Sequence, residues 1–315
     1  MQHLPKRVTV TEVGPRDGLQ IEDQWIPTEI KVELVNRLSR VGFKTIQVTS
    51  FVHPKAVPQL RDAEEVMAKI DRVPGVTYEA LVPNLRGMER ALAAKVDKVN
   101  LMLSVTDSHS LSNANATTAE ALKNLEPVAR MALDHGIGVV GGMATALGCP
   151  FEGFPPPERL FMVVDAYLAM GVREIGVADT AGMANPALVY DRLSRLRDRY
   201  PDVHFSLHLH DTRRMATANI IAALEAGVTD FDGAAGGMGG CPYAPGATGN
   251  IATEDMVHMF HEMGIETGVD LDALLDVVRW MSTWVPHPLE STLLRAGKSR
   301  DVLGRRTSGQ VKKIS

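Results

Sequence analysis

Three stretches carry residue types and spacings that can do chemistry. They are Glu12-Val13-Gly14-Pro15-Arg16-Asp17-Gly18-Leu19-Gln20, Leu207-His208-Leu209-His210-Asp211-Thr212, and the glycine-crowded run from Gly236 to Asn250 that contains Cys241. His208 and His210 are two apart, so in a strand both side chains point to one face. With Asp17 and Asn250 at matching strand ends, one carboxylate, two imidazoles and one amide oxygen converge. This is a mixed oxygen and nitrogen ligand set without thiolate. It suits Mg²⁺ or Mn²⁺, with Co²⁺ a further candidate, better than a structural zinc site, which favours cysteine. A lone His-x-His in a strand means little; the company of Asp17 and Asn250 is what makes it a metal site.

Arg16 precedes the carboxylate ligand. A guanidinium beside a divalent ion is repelled unless an anion lies between them, so its expected work is to hold an oxyanion that develops on a substrate. Cys241 is the one thiol in a loop that should reach this mouth. Glycine at such density marks backbone that takes positive φ or approaches something closely. The other cysteine, Cys149 in Leu147-Gly148-Cys149-Pro150, reads as a packing residue.

The elements that must position these groups alternate. Short strand-like runs are predicted at Val8–Val13, Thr45–Phe51, Val76–Val82, Lys98–Leu103, Gly138–Thr145, Glu174–Ala178, Val203–His210 and Asp230–Ala234. Each is followed by an amphipathic run. Ile30, Leu34, Val35, Leu38 and Val41 fall on one helical face, and Gly42 follows as a stop signal. Thr117 and Glu120 read as a capping box, and Asn185 with Pro186 as a helix start. Eight β/α units in about 260 residues predict an α/β fold of the TIM (β/α)8 type. A doubly wound open sheet is the alternative, but no Gly-x-Gly-x-x-Gly follows the first strand. In this reading residues 1–297 form one barrel domain, with a helical extension over about 265–297. Residues 298–315 form a basic tail, expected to be flexible. Asp17 then lies just past strand one, His208 and His210 at the end of strand seven and Asn250 after strand eight, at the strand ends where barrels carry their sites.

Composition narrows the function classes. The 315 residues are 45% hydrophobic and 23% charged, with a net charge of −5. Nothing suggests a nucleic-acid footprint. No apolar run is long enough for a membrane helix, and two cysteines make no disulfide framework. A cytoplasmic setting is expected.

Together these stretches resemble hydroxymethylglutaryl-CoA lyase, a family of metal-dependent TIM-barrel lyases related to the isopropylmalate synthases. The resemblance runs from about Val8 to about Leu294. It includes Thr49-Ser50-Phe51-Val52 with Pro54-Lys55, Pro83-Asn84-Leu85-Arg86-Gly87, Asn113-x-Asn115, and Asn250-Ile251-Ala252-Thr253-Glu254-Asp255. The discriminating piece is Gly-Gly-Cys-Pro-Tyr-Ala, which the condensing synthases lack. The resemblance implies that Asp17, His208, His210 and Asn250 hold the metal and that Arg16 stabilises an enolate-like intermediate. It implicates His208 in proton transfer and Cys241 in the chemistry of the acetyl-CoA fragment, and makes Asp179 and Glu254 acidic residues that support the site. The implied reaction is a retro-Claisen cleavage of an acyl-CoA with a tertiary 3-hydroxyl, 3-hydroxy-3-methylglutaryl-CoA in the first place. A homodimer is compatible with the resemblance.

The sequence departs from this pattern. Gln47 stands on strand two where the family usually has glutamate. Thr106-Asp107 replaces Ser-Glu, and His53 and Ala56 replace a serine and a tryptophan. Glutamine keeps the shape and one acceptor of glutamate, adds a donor and drops the charge. The more positive site that results favours the alternative substrate citramalyl-CoA, one methylene shorter, whose cleavage gives acetyl-CoA and pyruvate. A condensing acyl transferase and a barrel that binds metal and CoA without turnover are the remaining readings.

Overall fold

Runs such as Val-Asn-Leu-Met-Leu (99–103) are apolar almost throughout, as parallel strands covered on both faces require. In the computed structural model, which describes residues 4–240 and 249–302, eight strands pair in parallel and close into a barrel, with β8 hydrogen-bonded to β1. The strands are β1 (Thr9–Glu12), β2 (Thr45–Ser50), β3 (Thr77–Leu81), β4 (Lys98–Ser104), β5 (Gly138–Ala144), β6 (Glu174–Asp179), β7 (His204–Leu209) and β8 (Asp230–Gly233). The expected TIM barrel is what forms.

Helices cover the outside: α1 (Thr28–Leu38), α2 (Ala63–Lys69), α3 (Leu85–Ala93), α4 (Asp107–Ala114), α5 (Thr118–Asp134), α6 (Pro157–Ala169), α7 (Pro186–Arg199), α8 (Ala216–Glu225) and α9 (Thr253–Glu262). The caps read from sequence are present. Thr117 N–H donates to Glu120 Oε2 at 2.8 Å while Glu120 N–H donates to Thr117 Oγ1 at 3.3 Å. Asn185 Oδ1 accepts from Leu188 N–H at 3.0 Å. Two details differ. Helix α4 has no counterpart in the sequence reading, because Asp-Ser-His-Ser-Leu-Ser-Asn-Ala carries no apolar periodicity. Helix α8 starts at Ala216 and not Thr212, because Asp211 Oδ1 accepts from Ala216 N–H. Beyond α9, the helical extension is two pieces, α10 (Leu271–Met281) and α11 (Thr292–Ala296). Helix α10 packs on α1 and α9, and Asp255 of α9 accepts from the N–H groups of Thr292 and Leu293 at the start of α11. Of the expected tail, residues 303–315 lie outside the described residues. No helix among the described residues is long and apolar enough to cross a membrane.

The apolar core lies between strands and helices and includes Ile46, Tyr78, Leu101, Ile175, Leu207 and Phe231. At its centre Tyr167 of α6 is fully buried and its hydroxyl donates to the carbonyls of Leu101 and Gly142, at 2.6 and 3.1 Å. This seat exists because Gly141 has no side chain: a Cβ there would lie 2.8 Å from ring atoms of Tyr167. Gly141→Ala should therefore destabilise the protein by about 1–3 kcal/mol through overpacking. The measurement is the urea midpoint at unchanged m-value. An unchanged midpoint would mean that α6 slides outward freely.

Candidate active site

Past β1 the backbone makes a single tight turn, Gly14–Gly18, which carries Arg16 and Asp17 into the barrel mouth, both 5% exposed. Strand β7 delivers His208 and His210 to the same place, their ring centroids 5.2 Å apart. Asp17 Oδ2 lies 3.6 Å from His210 Nε2 and 3.9 Å from His208 Nε2. Ligand atoms of Asp17, His208 and His210 all lie within 4.8 Å of one another, a group that could hold a metal ion. The fourth expected ligand, Asn250, is there too. Its Nδ2 donates to Asp17 Oδ2 at 2.7 Å and to the Met238 carbonyl at 3.1 Å. Its oxygen, the atom expected to ligate, is buried without a partner among the described residues. A buried acceptor left unmet is unfavourable, and a cation meets that need. The donor set fits a divalent ion on the structure's own terms.

The surroundings tune these groups. Burial opposes the charge on Asp17, but the Arg16 guanidinium beside it, with His210 and His208, holds its carboxyl well below the usual range. Gln20 Nε2 also donates to Asp17, at 2.8 Å. Burial likewise opposes a charge on His208, yet its Nδ1 sits 3.2 Å from Asp232 Oδ2, and Asp232 and Asp17 together raise its pKa. That contact is the carboxylate–histidine arrangement that leaves the other ring nitrogen free for a metal. Burial lowers His210. Arg16 Nη1 donates to Asp17 Oδ1 and its Nε to Gln47 Oε1. The acceptor that Gln47 retains is thus in use on Arg16, and its added donor goes to Glu79 Oε1.

Asp179 and Glu254 act on loops. The Asp179 carboxylate accepts from Met183 and Ala184 N–H at 2.8 and 3.0 Å and shapes the turn after β6; burial pushes it up to about 6. Both oxygens of Glu254 accept from Gly236 N–H. Glu12, absent from the sequence-based site, does the same work from β1: one oxygen accepts from Gly14 and Ala235 N–H, the other from Thr253 Oγ1. Glu12 and Glu254 therefore hold the start of the glycine run. Cys241 itself lies outside the described residues. Cys149 is fully buried, with Thr106 Oγ1 3.1 Å from its sulfur, as a packing residue should be. Glu12, Glu79 and Asp232 were missed because a charged residue alternating with apolar ones in a strand reads as a solvent-facing position. The signal available was that every strand of a closed barrel is covered on both faces.

The HMGL-like family model matches residues 7–281. The chain belongs to the HMGL-like family. Among its family relatives is the hydroxymethylglutaryl-CoA lyase of Bacillus subtilis, 46% identical over 295 residues, which are 94% of this chain and 99% of that protein. The human mitochondrial hydroxymethylglutaryl-CoA lyase is 41% identical over 276 residues, covering 88% of this chain and 85% of that one. An HMG-CoA lyase structure from Acinetobacter baumannii, in complex with coenzyme A and 3-methylmalate, superposes with a TM-score of 0.91 at 42% identity, covering 96% and 99% of the two chains.

Two outcomes follow from the local geometry. Gly239 has a φ of +102°, and a Cβ there would lie 2.7 Å from Asn250 Nδ2 and 3.1 Å from the Asp17 carbonyl. Gly239→Ala should weaken Mn²⁺ binding by about 10–100-fold, as displaced ligand supports do; calorimetric titration reads it, and wild-type affinity would detach Asn250 from the ion. The second concerns pH. Burial lifts both Glu12 and Glu254 from 4.5 to about 7. The folded state then binds more protons than the unfolded one between these values, so stability falls as pH rises through that window. Urea midpoints should decline from about pH 5 to about pH 8, and Glu254→Gln should flatten the decline. A flat wild-type profile would mean that the clamps ionise normally.

Proposed function

We propose that this protein cleaves 3-hydroxy-3-methylglutaryl-CoA to acetyl-CoA and acetoacetate, as the names of its relatives indicate for them. The observation that carries the reading is the cluster of Asp17, His208 and His210 with the unmet oxygen of Asn250 and the Arg16 guanidinium beside it. Asp17, His208, His210 and Asn250 would hold a divalent ion, Mg²⁺ or Mn²⁺, which would supply Lewis acidity when bound. The family resemblance implicates Asp17 or His208 in taking the C3 hydroxyl proton, and Asp232 would balance a charge on His208. As C3 becomes a ketone, the C2–C3 bond breaks and its electron pair passes to the thioester as an enolate. Arg16, anchored on Asp17 and Gln47, stabilises that oxyanion. A proton delivered to C2 completes acetyl-CoA. The family resemblance matches Cys241 to this acid, and a thiol with an ordinary pKa of about 8.5 is mostly protonated at neutral pH.

The citramalyl-CoA reading rested on charge lost at position 47. Both ends of Gln47 are engaged, on Arg16 and on Glu79 one strand away, and the relatives are named for the longer substrate, which is the one favoured.

Purified protein with Mg²⁺ should convert hydroxymethylglutaryl-CoA to acetyl-CoA and acetoacetate, and chelation should abolish this. Cys241→Ser should keep Mn²⁺ binding and lose turnover by about 100-fold or more, the scale of a lost general acid. Cleavage that survives exhaustive chelation, or pyruvate as the faster product from citramalyl-CoA, would overturn the assignment.

A further inference from the structure

Glu79 lies on β3, 4% exposed, facing the barrel interior beneath the site. In the strand register it stands opposite Gln47 of β2 on one side and Lys98 of β4 on the other. Its Oε1 receives Gln47 Nε2, and Asn100 Nδ2 approaches the same oxygen at 3.4 Å. Gln47, 2% exposed, spends its other end on Arg16. A continuous line of hydrogen bonds thus runs Asn100, Glu79, Gln47, Arg16 and ends on Asp17.

The direction of that line is set by chemistry. A glutamine amide presents a donor and an acceptor of nearly equal shape, so sterics alone do not orient it. Arg16 has only donors, and the Glu79 oxygen that faces Gln47 is an acceptor. With Glu79 on one side and Arg16 on the other, one amide orientation satisfies both. Remove the carboxylate and Gln47 can turn its NH₂ toward the guanidinium, donor against donor, leaving Asp17 as the remaining anchor on Arg16. Asp232, an interior carboxylate on β8, is engaged with His208, and Lys98 is engaged with Glu174. Neither replaces Glu79 on Gln47.

We propose that Glu79 is a positioning residue for the cleavage reaction: from β3 it orients Gln47, and through it Arg16. This rests on the lyase reading above.

A charge swap tests it. Gln47→Glu alone sets two carboxylates in buried contact, and kcat should fall by about tenfold or more, the scale of a misplaced catalytic group. Gln47→Glu combined with Glu79→Gln keeps one charge and one amide but exchanges their places, and kcat should return to within about threefold of wild type. Glu79→Leu should lower kcat by about tenfold with KM changed by less than about twofold, since the group acts in the transition state and not in substrate capture. A double variant no faster than Gln47→Glu, or a Glu79→Leu protein with wild-type kcat, overturns the proposal. Should Glu79→Leu fail to fold, the near-isosteric swap decides. A wild type inactive on hydroxymethylglutaryl-CoA defeats the reaction assigned, and the same cycle in Tm then decides the pairing. Gln47→Glu should lower Tm by about 3 °C or more and the double variant restore it; no restoration overturns the pairing.

Discussion

Asp17 is a carboxylate taken out of water and surrounded by groups that need it. Arg16, Gln20 and Asn250 donate to it, and His208 and His210 face it within 4 Å. An isolated carboxylate in this position would take up a proton. The guanidinium of its own neighbour keeps it ionised, and that single balance organises the mouth. An ionised Asp17 can take a cation, anchors Arg16 and faces both imidazoles. Other polar residues of the interior hold these groups and the backbone around them. Asp232 turns His208, Glu79 turns Gln47, and Glu12 and Glu254 fix the backbone where the glycine run begins.

The barrel and the cluster of polar residues at its mouth were legible in the sequence for physical reasons that are easy to name. Eight apolar runs with helical runs between them leave few topologies, and the two-residue spacing of His208 and His210 dictates a common face once they lie in a strand. Asp17 and Asn250 followed from their places after β1 and β8. The supporting layer was not legible. Tyr78-Glu79-Ala80 alternates like a strand with one wet face, and only the pairing of β3 with β2 shows that Glu79 looks inward at Gln47. Gln47 itself was noticed as a departure, but its partner Glu79 was not. Charge was counted at one position, whereas the electrostatics of a barrel interior are shared across neighbouring strands. Helix α4 was missed for the opposite reason: it has no apolar stripe, and it stands on tertiary partners such as Asp107, whose carboxylate accepts from Thr118 N–H at 2.9 Å.

The barrel interior is therefore less a hydrophobic core than a polar scaffold enclosed by one. The apolar residues are spent between sheet and helices, where Tyr167, Phe231 and Phe260 are buried. Gln47, Glu79, Asn100, His208 and Asp232 occupy the inside. Such a layer is favourable only when its members satisfy one another, and its geometry is correspondingly unforgiving of single changes.

Asn250 and Asp17 are joined by a hydrogen bond across 233 positions of chain, and Glu12 reaches Ala235 and Thr253 across 223 and 241. The site is thus written at the two ends of the barrel sequence and exists only where β8 meets β1. During synthesis, a nascent chain can emerge with most of its β/α units and still lack Asn250, Glu254 and the strand that seats them. Contacts of such separation carry the largest loop-closure entropy and form late. Assembly of the Asp17–Asn250 contact accordingly reports closure of the last seam, and any ligand that favours the closed ring will select fully folded molecules over those still open at that seam.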